Sequence, residues 1–331
     1  MGGCLGTFRG WALSAVLVSQ AVLAGCGDDA PVTGGTIQHW DGSRWSLSTW
    51  TGGANSRYLS GVWGSGPNDV WAVGLGVVLH GDGATWTPAI QDNDERAFLS
   101  VWGSGPDDVW VGGAGVRHWN GAAWSIAGLP EGVGEIVEGW SRRPDDAWAV
   151  AGVRILVGDP AVSVVAPAVL HWDGTAWTIV WRSPELQRDY LSSIWGSATG
   201  EVWAAGNRGD NDDALVVHWN GSTWTEKDLP MDGSSDVWAS GPTDLWVTTY
   251  DGVPMHWDGV DWARVSRGPG EISAMWGSAP DDVWFFGDFP GGTHWNGAQW
   301  SRRAAPEAHG IGAAAWGSGP NDVWVVGGVA Q

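Results

Sequence analysis

Val62-Trp63-Gly64-Ser65-Gly66-Pro67-Asn68-Asp69-Val70-Trp71-Ala72-Val73-Gly74 is the stretch from which the fold can be read. Its first Trp recurs as Trp102, Trp140, Trp195, Trp238, Trp276 and Trp316. Its second recurs, always eight residues later, as Trp110, Trp148, Trp203, Trp246, Trp284 and Trp324. Between successive copies lies a second motif, written most fully as His171-Trp172-Asp173-Gly174-Thr175-Ala176-Trp177. Its histidines are His39, His80, His118, His171, His218, His256 and His294, and its closing tryptophans are Trp45, Trp86, Trp124, Trp177, Trp224, Trp262 and Trp300. With the Trp that follows six of these histidines (Gly81 stands there in the other copy), these positions absorb 27 of the 30 Trp of the 331-residue chain, which has only 3 Tyr and 5 Phe. A structural repeat near 40 residues long accounts for such a bias.

Each motif predicts a hairpin. Gly-Ser-Gly-Pro-Asn-Asp is turn chemistry, because Pro presets φ, Gly permits positive φ and Asp bonds nearby backbone. The runs beside it, such as Val70–Val73, are short, apolar and β-prone. Trp-Asp-Gly or Trp-Asn-Gly marks a tight second turn. One unit is therefore four antiparallel strands: A with the first Trp, B with Asp-Val-Trp, C with His-Trp and D with the closing Trp. The repeats begin with a C–D hairpin (37–48) and finish with an A–B hairpin (315–328). Joined, the two halves complete one blade and remove the open sheet edges that promote aggregation. The expectation is an all-β, seven-bladed β-propeller of four-stranded antiparallel blades, closed by a composite blade made from both termini.

The first 35 residues read differently. Arg9 precedes an apolar stretch from Trp11 to about Ala24, too short to span a bilayer comfortably. It ends in Leu23-Ala24-Gly25-Cys26, which resembles the lipobox of bacterial lipoproteins. That resemblance implies cleavage before Cys26 and acylation of its thiol, hence a signal peptide at 1–25, a short linker at 26–35 and the propeller at 36–331. The other cysteine, Cys4, lies in the leader. The mature chain then has no disulfide and rests on packing alone.

The repeat itself resembles one found in lipoproteins of myxobacteria and related delta-proteobacteria. Weaker similarity links strands B and D to tectonin-type lectin propellers, and the Asp-Gly-x-x-Trp turn to Asp-box propellers, which have one more residue between Asp and Gly. The Trp-Asp pairs do not follow the WD-repeat pattern, because the preceding Gly-His is absent.

A net charge of −21 repels phosphate backbones and argues against a nucleic-acid partner. The repeated histidines, one per blade, cannot converge on one metal ion and read as hairpin stabilisers. The repeated carboxylates (Asp69, Asp108, Asp146, Glu201, Asp244, Asp282, Asp322) read as turn caps. Specificity is expected where the repeat varies. The A–B and C–D turns look stereotyped, which leaves the B–C and D–A loops at the other end. The longest is the B–C insertion from Gly152 to Ala168. Trp50 and Trp181, outside the repeat, are candidates for stacking on a sugar, with packing under a loop as the alternative. Arg188, Tyr190, Arg208, Asp210, Asp212 and Asp213 complete the candidate binding face. No cofactor is expected, although the Asp210–Asp213 cluster offers the oxygens calcium would need.

No convergent catalytic constellation is evident; Tyr190 with Glu185 and Arg188 is the nearest approach. The chain is thus expected to be a monomeric, non-enzymatic, exported lipoprotein. It would be anchored by lipid at the outer membrane, facing periplasm or exterior, and would bind a carbohydrate or envelope protein. An assembly scaffold and a sialidase-like glycoside hydrolase are the competing readings.

Overall fold

A computed structural model describes residues 35–48, 50, 58–91, 97–157, 162–184, 189–209, 213–227, 229, 233–249, 253–265, 272–287, 291–305 and 311–328. The leader, Cys26 and the linker up to 34 lie outside them. Seven four-stranded antiparallel sheets follow the chain in order. Blade I comprises Leu59–Gly66, Asp69–Gly74, Val77–Gly81 and Trp86–Gln91, as strands A to D. Blade II begins with Phe98–Gly105, blade III with Val133–Arg143, blade IV with Tyr190–Gly196, blade V with Ser234–Gly241 and blade VI with Ile272–Ala279. Blade VII combines Ile311–Gly319 and Asp322–Gly328 as A and B with Thr36–Trp40 and Trp45–Ser48 as C and D. Its seam is a regular antiparallel ladder, with Ile37 opposite Val326 and His39 opposite Trp324. The A strands neighbour one another round the ring, from Leu59–Gly66 through to Ile311–Gly319 and back, so the ring is closed.

Both hairpin turns are built as their residues demand. Asp41 Oδ1 accepts the backbone N–H groups of Ser43 and Arg44, both at 2.9 Å. Asn120 Oδ1 accepts those of Ala122 and Ala123. The following glycine has positive φ, +90° at Gly42 and +85° at Gly121, a conformation that side chains with a Cβ resist. Gly42 packs on Asn321 and Gly121 on Asp107, so the C–D and A–B turns meet at the same end of the blade.

Tryptophan joins blade to blade in two layers. In the inner layer the strand-A Trp of one blade generally lies on the glycine after the strand-A Trp of the next; in blade V that position is Ala239. A Cβ at Gly103 would come 2.7 Å from the Trp63 ring, and one at Gly64 2.7 Å from Trp316. Trp276 covers Gly317, Trp238 covers Gly277 and Trp140 covers Gly196 in the same way. In blade III the glycine is displaced to the other side of the Trp, and Trp102 packs on Gly139. In the outer layer six strand-B Trp are met edge-on by the strand-D Trp of the next blade. The pairs are Trp71–Trp124, Trp110–Trp177, Trp148–Trp224, Trp246–Trp300, Trp284–Trp45 and Trp324–Trp86, at 5.3–6.4 Å between centroids. Every strand-B Trp is buried, and each indole removes about 150–250 Å² from water.

The inner contact makes a sharp prediction. Gly103→Ala should cost about 2–3 kcal/mol in urea unfolding, because neither the Trp63 ring nor the Asp108 carbonyl can retreat. Gly105→Ala, which enters open space, should change stability by less than about 0.5 kcal/mol. Equal effects would mean that the Trp-on-Gly contact is not what requires glycine.

Candidate functional site

Each blade carries a small polar unit at its turn end. In blade I, Ser65 Oγ donates to Asp69 Oδ2 at 2.6 Å, and Asp69 Oδ1 lies 2.6 Å from His80 Nε2. The His80 ring stacks on Trp71 at 4.2 Å. In blade II, Trp110 Nε1 also donates to Asp108, at 3.1 Å. Blade VII builds the same unit from both termini, with His39 Nε2 2.7 Å from Asp322 Oδ1. Burial alone would raise the Asp69 and Asp322 carboxyls, but bonds from His and Ser outweigh it and hold both below the usual carboxylate range. The carboxylates therefore do more than cap turns, as their spacing suggested: they clamp strand C to strand B.

Blades III and IV break this unit. Where other A–B turns read Gly/Ala-Ser-Gly/Ala-Pro, blade III has Ser141-Arg142-Arg143-Pro144 and blade IV has Gly196-Ser197-Ala198-Thr199. Arg142 takes over from the serine: its Nη2 lies 2.5 Å from Asp146 Oδ2. Asp146 also accepts from Trp148 at 2.9 Å and faces His171 at 2.8 Å. Arg143 Nε donates to Asp145 at 2.5 Å. In blade IV, Glu201 replaces aspartate, and its extra methylene leaves the carboxylate 3.9 Å from His218 Nε2. Glu201 Oε2, His218 Nε2 and Trp203 Nε1 are buried without a hydrogen-bond partner among the described residues. Burial, with Lys227 as a lesser cause, lowers the His218 pKa to about 4. The two broken turns flank one cleft, lined also by Asp173, Trp219 and Trp224. Sequence reasoning missed this site because it treated all seven A–B turns as equivalent; Arg142-Arg143 was the available signal.

The residues expected to form the binding face distribute differently. The Gly152–Ala168 insertion is not a loop. Strands Asp146–Val157 and Val162–Trp172 continue their ladder from Ala151↔Ala168 out to Val157↔Val162. The valine-rich run Val162-Ser163-Val164-Val165 and its apolar partner Ile155-Leu156-Val157 explain why. Beyond Arg154 and Pro167 these strands pair only with each other among the described residues. Leu156 is 71% exposed and Val165 54%.

Trp50 is 8% exposed and packs with Ile37, Leu59 and Val77, so its ring is a core element and not a stacking platform. Trp181 lies on strand D of blade III opposite Val169, next to a bulge, and packs towards Trp224 of blade IV. Local packing, the plainer expectation, describes both rings. Tyr190 opens strand A of blade IV, where its hydroxyl accepts from Asn207 Nδ2. The Asn207 side-chain oxygen in turn takes the Ser234 N–H of blade V at 2.8 Å. Arg208 bonds Glu226 at 2.7 Å, and Asp213 is its ladder partner. Arg188, Asp210 and Asp212, with Glu185 and hence the calcium reading, lie outside the described residues.

A further polar arc, unforeseen, lines part of the inner ring. Two residues before the strand-A Trp stand Glu138 in blade III, Ser193 in blade IV and Asp236 in blade V. Each accepts a strand-A N–H from the next blade: Ile194 to Glu138 at 3.0 Å, Val237 to Ser193 at 3.2 Å and Met275 to Asp236 at 2.8 Å. Ser193 Oγ also donates to Asp236 at 2.8 Å. Burial raises the pKa of both carboxyls, and for Glu138 the Asp236 charge adds to the effect. A carboxyl whose folded-state pKa is raised contributes stability at acid pH that is lost as pH rises through that raised value. Wild type should therefore lose stability from about pH 5 upward relative to Glu138→Gln/Asp236→Asn, whose amide oxygens still accept the N–H groups. Parallel melting-temperature profiles from pH 5 to 9 would refute the assignment.

No family model matches the chain, and no curated protein matches it. Solved structures do. YCF48 bound to a D1 peptide is 15% identical with a TM-score of 0.60, covering 83% of this chain and 93% of that one. YCF48 from Cyanidioschyzon merolae is 20% identical with a TM-score of 0.60, covering 82% and 94%. The WD40 β-propeller domain of Doa1 is 12% identical with a TM-score of 0.61, covering 88% and 94%. At these identities the likeness is one of fold.

Proposed function

We propose that this protein is a non-enzymatic, exported lipoprotein whose propeller holds a protein partner in the cell envelope. The observation that carries the reading is the blade III ribbon. It combines main-chain edges that pair with no other described strand with exposed Leu156 and Val165, the chemistry by which an extended segment of another protein adds to a sheet. The ring supplies a rigid base from which the ribbon projects, and the ribbon sits at the same blade ends as Tyr190 and Arg208. A propeller of similar fold is known with a bound peptide, which is compatible with this use. The lipobox residues Leu23-Ala24-Gly25-Cys26 support export and lipid anchoring in the envelope.

Two experiments test the parts separately. A photo-crosslinking residue at Leu156 in intact envelopes should give a discrete protein adduct that Ile126, equally solvent-facing at 81% on strand D of blade II, does not give. Replacing 154–165 with Asn-Gly, which joins the ladder partners Val153 and Ala166, should abolish capture of that protein without lowering the melting temperature. Absence of an adduct, or the same adduct from both positions, would sink the ribbon as a partner surface. For the anchor, labelled palmitate should be incorporated by wild type and not by Cys26→Ala; persistent labelling would remove the lipoprotein part.

A further inference from the structure

We infer that the cleft between blades III and IV, at the turn end opposite the ribbon, is a binding site for a neutral polyhydroxylated ligand, a sugar ring. The two A–B turns that abandon the repeat are adjacent, and both line this cleft. That placement brings together two guanidinium groups, which no other A–B turn carries, and the Thr199 hydroxyl. Arg142 is anchored, because Asp146 holds its Nη2 and a Cβ at Gly200 would come 2.7 Å from its Nη1. The turn opposite is tight, with Gly200 N–H on the Ser197 carbonyl at 3.0 Å and φ +95° at Gly200. The site is thus held rigidly from both blades.

The charge balance selects the ligand class. Arg142 faces Asp146 and Arg143 faces Asp145, and Asp173 is turned on Thr175 and Ala176. Both guanidiniums are thus partnered, and Asp173 adds a carboxylate held only by neutral donors, so an anion gains little and would have to break an existing pair. An apolar ligand would strip water from those same groups. Vicinal hydroxyls can donate to the carboxylates and accept from the guanidiniums while the pairs stay intact. The half-buried indoles of Trp219 and Trp224, tilted 39° to each other, offer apolar ring surface to one face of a pyranose. The cleft, about 680 Å³, has room for one or two such rings.

Ligand-observed saturation-transfer NMR with methyl α-D-mannopyranoside, methyl β-D-galactopyranoside and N-acetyl-D-glucosamine tests the assignment, with sodium acetate and sodium glucuronate as anionic contrasts. At least one neutral sugar should bind saturably with a millimolar Kd, and both anions at least tenfold more weakly. Arg142→Ser/Arg143→Gly restores the serine and glycine that blades I, II and VII carry; it should keep the melting temperature within about 5 °C and abolish binding. Arg143→Gln, at a side chain 53% exposed, should weaken binding at least fivefold with no effect on folding. The inference falls if no neutral sugar binds at 50 mM, if an anion binds as well as the sugars, or if binding survives in the folded turn variant.

Discussion

The contact on which the ring depends is an indole laid flat against a glycine. A Trp side chain on strand A reaches the neighbouring blade most closely where that blade has no Cβ in the way, although blade V has Ala239 there, with Trp195 packed against its cluster. Gly64, Gly103, Gly196, Gly277 and Gly317 all provide that bare surface. Trp316 on Gly64 repeats across the closing seam the contact that Trp63 makes on Gly103. The blades therefore meet at one spacing, and the geometry that joins two of them also closes seven. A chain without disulfides between its blades can hold such a ring because each interface buries indole on both layers.

The outer layer adds orientation. The His of strand C stacks on the Trp of strand B, and the acidic residue at the start of strand B binds that His. Partnership matters more than the individual bond, since a buried polar group left unpaired costs more than a made bond contributes. Blade IV shows the cost in place. With Glu201 one methylene longer, Glu201 Oε2 and His218 Nε2 are left without partners among the described residues. Blade III meets the same demand by another route, because Arg142 replaces serine on Asp146.

Regularity is what makes the departures informative. Five of the seven A–B turns share one construction, and the two that do not are neighbours. The long ribbon also belongs to blade III, and the Glu138–Asp236 arc runs from blade III to blade V. Features that the repeat does not need are thus gathered on one side of a nearly symmetric ring. Symmetry in the scaffold with asymmetry at one sector is how a repeat protein confines recognition without weakening its interfaces.

Much of this was legible in the chain itself. The Trp and His spacings determined the number of blades, the strands that carry each motif and the pairing of the termini, because a four-strand unit must bury both faces of its sheet and an incomplete unit must find its complement. The turn chemistry at Asp41-Gly42 and its six counterparts was equally local. What the chain did not disclose depends on distances between residues far apart in sequence. Whether Trp50 faced a ligand or Leu59 was decided by packing. The Gly152–Ala168 segment, which looked like an insertion, became a ribbon once each strand found the other as its partner. Arg142 and Thr199 are 57 residues apart, and only the side-by-side stacking of two blades puts them on the same cleft. Glu138 reads as one more surface acid until the N–H of Ile194, from the neighbouring edge strand, comes to rest on its carboxylate. Periodicity declares which faces must be buried, but a group's partner across an interface is set by the approach of two sheets, and that is a property of the folded ring alone.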